Sequence, residues 1–67
     1  MMTLQVNGES RSIDDGTALM DALAQWGYSC TQVAVAVNGE FVARGEYAGR
    51  VLRGGDCLDV VAPVQGG

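Results

Sequence analysis

Apolar and polar residues alternate from Met2 to Val6, with Met2, Leu4 and Val6 on one side and Thr3 and Gln5 on the other. This is the period of a half-buried strand. Asn7-Gly8 follows, the preferred pair for a two-residue type I′ hairpin, whose central positions both take φ > 0. An antiparallel return is therefore predicted over Glu9 to Ile13, and its polar Ser10, Arg11 and Ser12 suit an exposed edge. Asp14-Asp15-Gly16 reads as a turn, after which the Thr17 hydroxyl is placed to cap a helix. Leu19, Ala22, Leu23 and Trp26 recur at i, i+3, i+4 and i+7, so one helix face is apolar while Asp21 and Gln25 look outward. That spacing assigns Trp26 to the core rather than to a binding site, and Gly27 supplies the left-handed stop.

The next stretch, Val33 to Val37, is apolar on both faces and predicts a central strand covered on both sides or one close to an interface. Asn38-Gly39 predicts a second hairpin, returning over Glu40 to Ala43. From Arg44 to Leu52 there is no clean period; a helical turn around Glu46-Tyr47-Ala48 is expected, with Val51 and Leu52 tucked in. Arg53-Gly54-Gly55-Asp56 turns into a last strand, Cys57 to Ala62, with Leu58, Val60 and Ala62 on one face. Short strands and a single amphipathic helix bury their apolar faces only if the helix covers one side of a mixed sheet, through a right-handed crossover. The expected class is α+β, a β-grasp or ubiquitin-like fold with a mixed sheet of four to five strands and one main helix packed on one face, over residues 1–62.

Residues 63–67 read differently. Pro63 fixes φ and removes an amide donor, which ends the strand. Val64, Gln65, Gly66 and Gly67 then predict a flexible thread, and glycines without Cβ fit a channel too narrow for side chains. A carboxylate on Gly67 would be free, but an ionised carboxylate is a poor electrophile. Activation by a partner, with ATP and through an acyl-adenylate, would open it to a sulfur or nitrogen nucleophile. The alternative is an inert, frayed chain end.

Sixty-seven residues allow one domain, and 48% hydrophobic with 18% charged residues is a globular balance. The absence of a long apolar run or a signal-peptide pattern makes the cytosol the expected compartment, with no membrane association. Cys30 and Cys57 form no paired motif and are expected to stay reduced and serve as small packing residues. With no histidine there is no ligand set for a metal. Eight acids against four arginines give a net charge of −4, which disfavours nucleic acid and suits docking on basic enzymes. The chain also lacks lysine and clustered acids, so no base or nucleophile constellation marks it as an enzyme.

Val6-Asn7-Gly8-Glu9, the helix from Thr17 through Leu23, Val35 to Gly39 with Val42 and Arg44 beyond, and Gly55 to Val61 leading to Pro63-Val64-Gln65-Gly66-Gly67 together resemble the ThiS family of small sulfur carriers in bacterial thiamine biosynthesis. The last piece is the most specific. The resemblance implies that a ThiF-type adenylating enzyme activates the Gly67 carboxylate with ATP. Sulfur from a cysteine-desulfurase persulfide then replaces an oxygen, and the thiocarboxylate is handed to a ThiG-type thiazole synthase. The carrier itself binds no cofactor. Gly67 would hold the reactive group, Gly66 would let the backbone fit the active sites, and Pro63, Val64 and Gln65 would set an extended approach; Gln65 is larger than its counterpart in many relatives. Docking through the sheet face near the C-terminus nominates Phe41, Val42 and Leu58, and Arg44 and Arg53 could meet acids on a partner. A free carrier that visits several enzymes is expected as a monomer. The rival readings are a molybdopterin sulfur carrier, whose chains tend to be longer, a β-grasp interaction module with an inert tail, and a ubiquitin-like conjugation tag.

Overall fold

A computed structural model describes Met1 to Ala62. Its elements run β1 (Met2–Val6), β2 (Glu9–Ile13), α1 (Leu19–Gln25), β3 (Ala34–Val37), β4 (Glu40–Val42), a 3-10 turn (Arg44–Glu46) and β5 (Cys57–Val61). The strands form one sheet in the order β2-β1-β5-β3-β4, and with α1 on one face this is the β-grasp arrangement. Both hairpins turn on their Asn-Gly pair, with Asn7 and Asn38 at φ 53° and the glycines at φ 85° and 84°.

Strand β5 is central. It runs parallel to β1, pairing Gln5 with Cys57 and Val6 with Leu58, and antiparallel to β3 from Ala34↔Val61 to Val37↔Leu58. Leu4, Val6, Val35, Val37, Leu58 and Val60 all turn to one side of the sheet and meet Leu19, Ala22 and Leu23 of α1 in a single core. The apolar run of β3 is therefore covered on one side only: Val33, Val35 and Val37 are buried, whereas Ala34 is exposed and Ala36 half-buried on the other. Ala62 lies just beyond β5 and is exposed.

The two ends of α1 are finished differently. At the C-terminus Gly27 (φ 85°) lets its own N–H donate to Ala24 O (3.2 Å) and that of Tyr28 to Leu23 O (2.9 Å), a Schellman motif. Trp26 takes the C-cap position and is half-buried against the core. At the N-terminus the expected Thr17 cap is not made. The Thr17 hydroxyl donates to Asp14 O (2.6 Å) and closes the preceding turn, and Ala18 occupies the cap position. The helix's first amides are met from elsewhere in the chain: Leu19 N–H donates to Arg50 O (2.7 Å) and Met20 N–H to Tyr47 O (3.0 Å). The segment without a sequence period is thus the helix's cap.

Tyr47 anchors that segment. It is among the largest fully buried side chains, and its hydroxyl donates to Val33 O (3.2 Å), which also accepts from Arg44 Nη2 (3.3 Å). Leu52 is buried as expected, but Val51, whose backbone bridges to Ala18, is 53% exposed. Cys30 packs partly against the core, while Cys57 is exposed and does not serve the packing role expected of it.

Tyr47→Phe keeps the ring in place and leaves Val33 O its Arg44 partner, so a loss of about 1 kcal/mol is expected. Leu58→Ala opens a cavity in the central strand and should cost ~2–5 kcal/mol. Urea titration of both variants checks this; equal midpoint shifts would contradict the central placement of Leu58.

Candidate functional site

Side chains on successive residues of a strand point to opposite faces, and only one face of this sheet carries the helix. Cross-strand register places Phe41, Ala36 and Asp59 in one row and Ala34 and Val61 in the next, all on the open face. Phe41 is 73% exposed and Val61 62%. Between them the floor is made of Ala34 and Ala36, whose methyl groups leave a low apolar trough about two strand spacings, ~10 Å, wide. Exposed aromatic and aliphatic side chains around such a flat floor form a patch that a partner can cover.

The three nominated docking residues separate on this geometry. Phe41 belongs to the open face. Val42 and Leu58 are 3% and 1% exposed and belong to the core, because each pairs with an inward residue of β3, Val35 and Val37 respectively. Ala34, Ala36 and Val61 take their place on the open face. These three were absent from the nominated set because parity depends on register, and register is not visible in a run that is apolar at every position. Pro63, Val64, Gln65, Gly66 and Gly67 lie outside the described residues; the trough borders their point of departure, since Val61 is part of it.

At the opposite end of β5 a recess of about 490 Å³ is lined by Asn38, Arg50, Val51, Arg53 and Asp56. Its carboxylate is internally engaged: Asp56 Oδ1 accepts from Asn38 Nδ2 (3.0 Å) and Oδ2 from Arg53 N–H (2.9 Å). Of the two arginines proposed to meet a partner's acids, Arg44 is tied to Val33 O. Arg53 forms no salt bridge among the described residues. No group of three or more potential metal ligands occurs among the described residues, and no helix there is long and apolar enough to cross a membrane.

The arrangement offers no assembled catalytic set among the described residues. What it offers is a face of Phe41, Ala34, Ala36 and Val61, with Asp59 in the same row as Phe41, that borders the start of the Pro63-to-Gly67 segment. Comparison with known proteins agrees with that reading. The sulfur carrier protein ThiS of Thermus thermophilus is 40% identical over 62 residues, which covers 92% of this chain and 95% of that one. Thiazole synthases of Magnetococcus marinus and Paramagnetospirillum magneticum are 36% and 35% identical over 66 residues; the match takes in 98% of this chain but only 20% of theirs. This chain thus spans about a fifth of the length of those two relatives. The crystal structure of the thiamine biosynthesis protein ThiS from Geobacter metallireducens superposes with a TM-score of 0.81 at 26% identity, covering 98% of this chain and all of that one. Since the ThiS family model also matches residues 4–67, nearly the whole sequence and its terminal glycines included, the chain belongs to the ThiS family.

Proposed function

We propose that the chain is a sulfur carrier of thiamine biosynthesis, acted on by partner enzymes rather than an enzyme itself. The observation that carries the reading is the likeness to the Thermus sulfur carrier, which covers 92% of this chain and 95% of that one, within a family match that includes Gly66-Gly67. In the first step a Gly67 carboxylate oxygen attacks the α-phosphorus of ATP in a ThiF-type enzyme, and pyrophosphate leaves. A persulfide sulfur supplied by a cysteine desulfurase then attacks the acyl carbon and displaces AMP. A thiol cleaves the remaining S–S bond, leaving a thiocarboxylate on Gly67.

The client is a ThiG-type thiazole synthase. Supporting this partner, a stretch similar to this chain forms a fifth of two thiazole synthases, so the two units occur within one polypeptide there. Docking uses the open trough, with Phe41 as its anchor, while Pro63, Val64, Gln65 and Gly66 thread Gly67 into the partner's site. All of these steps are placed in the cytosol. The negative net charge favours partners with basic rims.

Untagged protein incubated with a ThiF-type enzyme, ATP and a persulfide source should gain mass by exchange of one oxygen for sulfur, mapped to the peptide ending in Gly67. A variant extended by one residue beyond Gly67 should show no exchange. Equal labelling of the extended chain would refute attachment at Gly67.

Phe41→Glu should weaken binding to either partner by about tenfold or more, ~1.4 kcal/mol, while its stability stays within about 0.5 kcal/mol of wild type because the ring is exposed. Titration calorimetry and thermal unfolding read the two quantities separately; unchanged affinity would remove Phe41 from the docking surface.

A further inference from the structure

The strands carry three acids, Glu9, Glu40 and Asp59, and register separates them. Glu9 pairs with the inward Val6 and Glu40 with the inward Val37, so both turn to the helix side. Asp59 alone faces the open side. It shares a row with Ala36 and Phe41 and is exposed. Residues two apart on a strand share a face at a spacing of about 7 Å, which sets the carboxylate beside Val61, in the trough wall opposite Phe41.

The chain does not neutralise this carboxylate. Among the described residues Asp59 takes part in no ion pair: Arg11 meets Glu9, and the N-terminus meets Asp15. Arg44 is bonded to Val33 O, while Arg50 and Arg53 line the recess at the other end of β5. Exposed, Asp59 is served by solvent. An occupant that reaches from Phe41 to Val61 covers that wall and takes the solvent away. A carboxylate removed from water without a counter-charge is strongly disfavoured, so the occupant has to bring a cation with it.

We infer that Asp59 is the specificity-determining residue of the trough, and that the trough takes a partner enzyme whose apolar patch holds an arginine or lysine against this carboxylate. Asp59 has this role only if the trough docks a partner as proposed above. A second copy of this chain is a poor occupant, because face to face it would set its own Asp59 against the same trough, and like charges oppose that contact. A charge on a partner's rim speeds encounter, whereas a desolvated pair prolongs the complex. Loss of Asp59 should therefore raise koff more than it lowers kon.

The test measures binding kinetics of the full chain on a purified ThiG-type thiazole synthase. Asp59→Asn should raise Kd about tenfold or more, chiefly through koff, and Asp59→Lys about a hundredfold. Asp59→Glu keeps the charge and should stay within about threefold of wild type. Asp21 is exposed on α1, so Asp21→Asn makes the same change of net charge on the helix side and should shift Kd by less than about twofold. Thermal unfolding checks that each variant is folded, and sedimentation reads self-association. Asp59→Asn binding as tightly as wild type, or Asp21→Asn weakened equally, would overturn the role of Asp59, while a weakened Phe41→Glu would leave the docking face standing. A wild-type chain without affinity, or Phe41→Glu with full affinity, brings down the docking reading and Asp59 with it. Wild-type self-association that is lost in Phe41→Glu would make a second copy the occupant and also refute the inference.

Discussion

The pairing of β1 with β5 holds the two halves of the molecule together. The β1–β2 and β3–β4 hairpins each close across a two-residue turn, so each is local and inexpensive in chain entropy. Neither hairpin is stable alone in water. Only when β5 inserts between them does one continuous sheet arise and give α1 a surface to cover. The parallel contact rests on just two register pairs, Gln5↔Cys57 and Val6↔Leu58. The Asn7 side-chain amide supplements this short ladder beside Val60, while that of Asn38 extends the β3–β5 ladder beside Cys57.

Such a sheet has one apolar face and one open face, and the composition of the open face is informative. Antiparallel sheets with a solvated side usually alternate apolar and polar residues. The β1 and β2 side follows that rule, with Thr3, Gln5, Ser10 and Ser12 facing out. On the β3, β4 and β5 side Asp59 keeps to it, but Ala34, Ala36, Phe41 and Val61 break it. Packing in the core does not call for them, since their backs are already covered by Val33, Val35, Val37, Val42 and Val60. Apolar surface kept where polar residues would suffice is what a docking face requires.

The hairpins, the helix and its glycine stop were legible in the sequence because each is governed by residues within a few positions of one another. What could not be read depends on distant partners. Thr17 resembles an N-cap, yet the amides it would serve are met by carbonyls of Tyr47 and Arg50, from a segment with no period of its own. The burial of Tyr47 is hidden for the same reason, and Val51, expected to be tucked in, is exposed. At the candidate site, Phe41 was separable from Val42 and Leu58 only by the register of β3 with its neighbours. A shift of one residue in that register would exchange the two faces.

The position of Asn7 links these scales. Its sequence neighbour Gly8 marks it as a turn residue, and asparagine is tolerated at positive φ without further purpose. The turn alone does not account for both side-chain atoms reaching Val60, a residue 53 positions away. Glycine would satisfy the backbone equally well, but it would leave Val60 without its side-chain partners at the place where β5 gives way to the terminal segment. Asparagine meets the local and the distant requirement together, closing a hairpin near one end of the chain and pairing both of its amide atoms with the backbone of Val60 near the other.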